Sequence, residues 1–69
     1  MRTEMETTSG VQYANQAQAV LALLHRGATV HVDERYHTLV DVGYVATFDF
    51  GLTYVLRRVN LHYEWRVPQ

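Results

Sequence analysis

Residues 53–67 read TYVLRRVNLHYEWRV, and the reading of this stretch decides the fold. Apolar side chains fill the odd positions Val55, Val59, Leu61, Tyr63, Trp65 and Val67, while Arg58, Asn60, His62, Glu64 and Arg66 take the even ones. Successive side chains of a strand point to opposite faces, so the alternation predicts one long strand with a closed face and a decorated face. Gly51-Leu52 precedes it, and Gly at the first central position is the mark of a two-residue type II′ hairpin turn. Upstream, residues 38–50 place Val40, Val42, Tyr44, Ala46, Phe48 and Phe50 on one parity. A two-residue turn sets Phe50 opposite Thr53 and Val40 opposite Tyr63, so that nearly every cross-strand pair is apolar with apolar. A one-residue slip would set that row against Arg58, Asn60, His62 and Glu64, so the pattern specifies its register strongly.

Outward from this long C-terminal hairpin, residues 29–33 alternate again and form a short third strand, followed by a polar connection at residues 33–36. Residues 11–26 contain no Pro and no Gly. They are bracketed by a capping box at Ser9 and Gln12 and by a C-terminal stop at Gly27, which predicts a helix of about four turns. Its core stripe is Ala14, Ala17, Leu21 and Leu24, and Tyr63 and Trp65 are expected beneath it. The fold class that follows is α+β: one N-terminal helix packed on a three-stranded antiparallel sheet, in the order α-β-β-β. Residues 1–8 read as a flexible arm and residues 9–69 as a single domain.

Composition narrows the function classes. Sixty-nine residues make one domain with a marginal core, which disulfides, metals or self-association commonly supplement. There is no cysteine, so disulfides and thiolate zinc sites are excluded. The first ten residues carry no apolar leader and no run is long enough to span a membrane, so a cytoplasmic, soluble protein is expected. The net charge of −1 argues against a protein held to nucleic acid mainly by phosphate neutralisation. All six basic residues are Arg, and both Lys and Ile are absent, as a GC-rich bacterial or phage genome would produce.

The expected outer face gathers the chemistry-bearing residues. It sets Asp41 opposite His62 and, with a three-residue first loop, His31 opposite His37. A metal site from His31, His37 and Asp33 or Asp41 is disfavoured, because a flat sheet converges poorly on a tetrahedral ion. Asp41 could orient His62 as a general base, but the chain has one Ser and neither Cys nor Lys to serve as an activated nucleophile. No enzyme activity, no metal and no cofactor are therefore expected. Arg57 falls on the apolar side opposite Ala46, where it is expected to snorkel past the helix edge. The aromatic parity places Tyr44, Phe48, Phe50, Tyr63 and Trp65 in the core and not on a base-stacking surface.

What remains is recognition. Tyr54, Leu56, Arg58, His62 and Arg66 form a mixed apolar and cationic row of the kind found in transient interfaces. The helix is apolar almost all round between residues 19 and 24, which predicts a homodimer through Val20 and Leu23. The functional expectation is a small protein-binding module, a bacteriophage or bacterial accessory protein that inhibits or modulates a host enzyme or defence complex. The alternatives are a nucleic-acid-binding module using the hairpin arginines and a histidine-rich metal-binding sensor.

Overall fold

A computed structural model describes residues 8–68. Its elements among these residues are α1 (Gln16–His25), followed by β1 (Thr29–His37), β2 (Asp41–Thr47), β3 (Thr53–Val59) and β4 (His62–Arg66). The strands pair in sequence order as an antiparallel meander, with α1 packed on one face. The α+β class matches the expectation, but the sheet has four strands, not three. The expected arm lies almost wholly outside the described residues; Thr8, its last member, is buried. Among the described residues no helix is long and apolar enough to cross a membrane.

The extra strand comes from Asn60. Its φ of 56° is left-handed, a conformation Asn tolerates better than most residues. Asn60-Leu61 forms a two-residue connection closed by the Val59–His62 pair, so residues 53–67 fold back on themselves as β3 and β4. Alternation survives along each arm and inverts across the turn. Leu56 pairs with Trp65 and Arg58 with Tyr63, so even positions of β3 share a face with odd positions of β4.

A second inversion occurs between β2 and β3. Thr47 rather than Phe50 opposes Thr53, a displacement of three residues (50 − 47), so Ala46 pairs with Tyr54 and Val45 with Val55. The connection spans residues 48–52 and is closed by the Phe48 N–H donating to the Leu52 carbonyl at 2.9 Å and the Gly51 N–H to the Phe48 carbonyl at 2.9 Å. The wider loop lets Phe48 enter the core, where it stacks on Phe50 at 5.5 Å and meets Tyr54 edge-on at 6.0 Å. Such aromatic pairs add to what area burial alone contributes.

Both inversions turn Tyr54 and Leu56 inward, where they are fully buried with Trp65, Ala46, Ala19 and Leu23. Trp65 is in the core as the alternation predicted, and its indole Nε1 donates to the Ala19 carbonyl at 2.8 Å, which pins α1 to β4. The face of α1 that meets it is not the expected one. Ala19 and Leu23 are buried, while Leu21 and Leu24 are 52% and 46% exposed. The helix also starts later than the Ser9 capping box implied. Ser9 bridges Trp65, and Tyr13 exchanges two 2.8 Å backbone hydrogen bonds with Tyr63, so residues 9–14 run along the edge of β4. Asn15 is the N-cap, its Oδ1 accepting the Gln18 N–H at 2.9 Å. The C-terminal stop at Gly27 is as expected: its φ is 94°, and the Gly27 and Ala28 N–H groups donate to Leu24 and Leu23 at 3.0 Å each, a Schellman arrangement.

The expected loop at residues 33–36 is instead a wide bulge within β1. Val32 pairs with Tyr44 and His37 with Val42, so five steps of β1 span two of β2. Asp33 organises the bulge, accepting the Arg35 N–H at 3.0 Å and its guanidinium at 3.1 and 2.7 Å. The Arg35 guanidinium holds the Asp33 carboxyl down at about 2, below the usual carboxylate range. A bulge with a charge on an edge strand discourages strand addition from another chain.

Candidate functional site at the hairpin end of the sheet

Arg57 and Arg58 sit side by side on β3 and point to opposite faces. On the face away from α1, Arg57 lies between its two register partners, Asp41 on β2 and Glu64 on β4. Its Nε donates to Asp41 Oδ1 at 3.1 Å. Glu64, nearly buried, accepts Arg66 Nε at 2.8 Å and has His62 Nε2 3.7 Å from its other oxygen. The row is a charge-compensated lattice, with each cation beside a carboxylate.

This geometry revises several expectations. Asp41 faces Arg57 and not His62, whose register partner is Val59. Arg57 does not break an apolar face, because its face is the polar one. His31 opposes Val45 and not His37. Among the described residues there is no group of three His, Cys, Asp or Glu side chains placed to hold a metal ion. Of the five residues expected to bind a partner, Tyr54 and Leu56 are in the core and cannot reach one. His62 and Arg66 belong to the compensated lattice around Glu64. Leu23, expected at a dimer interface, is fully buried between α1 and the sheet, and Val20 packs against the same core. For Tyr54 and Leu56 the physical reason is that an odd change in loop length exchanges the two faces of a strand; for Leu23 it is that α1 turns its Ala19–Leu23 side to the sheet.

Arg58 keeps the expected exposure, as does Arg66, but of the two only Arg58 has no carboxylate beside it among the described residues. It shares the α1 side of the sheet with Tyr63 but lies past the start of the helix, where nothing covers it. Among the described residues no carboxylate pairs with it, whereas Arg35, Arg57 and Arg66 each have one. Arg58 lines an open groove of about 410 Å³ with Ala14, Asn60, Leu61 and Tyr63. Burial pushes the phenol pKa of neighbouring Tyr13 upward, in keeping with a backbone tied at both ends to Tyr63.

The β1–β2 and β3–β4 turns lie at this same end of the meander. The Arg58 N–H donates to the Val40 carbonyl at 2.7 Å, fastening the first turn to β3 beside the groove. Thr38 stiffens that turn, its Oγ1 accepting the Asp41 N–H at 3.0 Å. Two large apolar side chains project from the turns into solvent: Leu39 is 100% exposed and Leu61 95%, with Val40 half-exposed between the strands. A monomer rarely leaves clustered large apolar groups so open without a partner for them. The sequence reading missed Val40 and Leu61 because an unbroken strand assigns both to the core, whereas Leu39 already fell on the expected outer face. Asn60 was the available signal, as a turn-forming residue inside an otherwise alternating run. Comparison with protein-family models, with characterised proteins and with solved structures finds no match to this chain.

Proposed function

We propose that this chain is a small non-enzymatic protein-binding module, an accessory or inhibitory protein that engages a larger enzyme or complex through the hairpin end of its sheet. The observation that supports this reading is Arg58, which has no carboxylate partner among the described residues, in a groove lined by solvent-exposed Leu61. An exposed leucine beside a guanidinium with no carboxylate partner among the described residues fits a partner segment that offers a large apolar side chain next to a carboxylate. The Arg supplies a bidentate, orientation-setting contact, and burial of the leucine supplies the apolar contribution. Arg is enriched among the residues that dominate protein interfaces.

Nucleic-acid binding is less well supported, since three of the five described arginines already lie against carboxylates and the net charge is −1. Affinity capture from lysate tests the proposal by comparing the wild type with Arg58→Glu, Leu61→Asp and a control, Thr29→Asp, at the far end of the sheet. Proteins retained by the wild type and the control should be lost by both hairpin-end variants. Equal retention by all four would assign the binding to another surface.

A further inference from the structure

The exposed side of α1 is the second feature that the monomer leaves unexplained. Ala17, Leu21 and Leu24 are spaced i, i+4, i+7 and form one stripe on solvent, opposite the buried Ala19 and Leu23. The ten residues of α1, QAQAVLALLH, contain no Asp, Glu, Lys or Arg. A surface helix ordinarily turns a charged face to water. We propose that this stripe is a homodimer interface, in which α1 packs antiparallel on α1 of a second copy about a two-fold axis beside Leu21.

Three properties of the stripe favour a second copy of this chain over a different partner. In a two-fold interface every residue near the axis meets itself or its neighbour, so any charge there would repel its own copy; α1 has none. The stripe also reads small, large, large, and antiparallel pairing about Leu21 sets Leu24 over the partner's Ala17 while Leu21 meets the partner's Leu21. Each bulky side chain at the ends thus finds a small one, the complementarity that close packing requires. Antiparallel alignment further brings the positive N-terminal end of each helix dipole near the negative end of the other. The stripe has no polar or charged group to read the identity of a foreign protein, whereas the Arg58 groove does.

A helix of ten residues is only about 15 Å long. The contact therefore falls well short of the roughly 800 Å² per partner of a tight complex, and the dimer is weak, half formed at concentrations on the order of 100 µM. Ala14 lines the Arg58 groove and immediately precedes the N-cap of α1, so antiparallel pairing carries the two grooves to opposite ends of the dimer. A bivalent partner would engage both copies at once and gain avidity.

Sedimentation equilibrium across a range of concentrations, together with cross-linking, tests the dimer. The wild type should show a rising apparent mass, and Leu21→Glu should abolish the rise while keeping the wild-type circular dichroism spectrum. Leu24→Glu should do the same, and adding Ala17→Arg to it should restore association, because the introduced carboxylate then faces the introduced guanidinium of the other copy. The chain has no cysteine, so Leu21→Cys carries a single thiol beside the axis. Under mild oxidation it should form covalent dimers at least tenfold faster than Asp49→Cys in the β2–β3 loop. A wild type that stays monomeric up to about 1 mM would overturn the inference. So would undiminished association of Leu21→Glu, or equal cross-linking of the two cysteine variants.

Discussion

Arg57 and Arg58 are consecutive residues of one type on one strand, yet the fold treats them as different chemical objects. Arg57 is half-buried, 3.1 Å from Asp41 and opposite Glu64, so its charge is answered within the sheet. Arg58 projects into a groove with two leucine-bearing turns beside it and no carboxylate within the described chain. The first arginine ties β3 to β2 through Asp41; the second is left open to solvent. Residue type and local sequence are the same for both, so the distinction comes from which face each occupies and how far α1 extends over it. The comparison also separates two kinds of polar surface. A compensated lattice offers a newcomer little, because each of its groups must lose a partner before gaining one, whereas an unpaired cation beside apolar surface gives up only water.

The contrast can be broken most completely at Trp65, which both closes the core and holds α1 through Ala19. Trp65→Ala should cost about 3 to 5 kcal/mol, read by chemical denaturation, and should abolish both surfaces together because it removes the scaffold. A smaller and more selective effect is expected at Arg58. Arg58→Ala should weaken partner binding by more than about 1 kcal/mol while moving the folding free energy by less than about 0.5 kcal/mol. Calorimetric titration and thermal unfolding of the same variant read the two numbers. Arg57→Ala should show the reverse pattern, a loss of about 1 kcal/mol in stability, at the upper end for partly exposed pairs, with partner binding intact. If both variants act alike, the distinction between the two faces fails.

The smallest effect concerns the Asp33–Arg35 pair in the β1 bulge. The folded-state pKa of Asp33 is lowered to about 2 from 3.8, chiefly by the hydrogen bonds from the Arg35 side chain. A depressed carboxylate contributes stability above its unfolded value, and that contribution disappears as the pH falls through about 2. Arg35 is 84% exposed, so solvent screens the pair and its share of the folding free energy is small. Arg35→Ala should return the Asp33 titration toward the ordinary carboxylate range, as followed by the NMR shift of its carboxyl carbon.

Much of the molecule was legible from particular residues. Alternation identified the strand segments, Gly27 ended the helix, and Trp65 was placed in the core. The helix was expected to start at Ser9, whereas Asn15 is the N-cap; both residue types cap well, and it is the pairing of Tyr13 with Tyr63 that keeps residues 9–14 out of the helix. The candidate site fared worse. Arg58 and Arg66 stayed exposed as assigned, while Tyr54 and Leu56 changed from partner contacts to core, and Leu61 changed from core to surface.

The amino-acid sequence by itself determined that a helix precedes a run of strands, and with it the α+β class, and the absence of disulfide support. These properties depend on local periodicity and composition, which any fold of the chain must respect. Only the tertiary structure decided which face of each strand is closed. A period of two carries no memory across a turn. A two-residue reversal at Asn60-Leu61 and a five-residue loop at residues 48–52 preserve the alternation on either side while exchanging inside for outside. The choice was made where Phe48, Tyr54, Leu56 and Trp65 could close together under Ala19 and Leu23, which is a property of the assembled core.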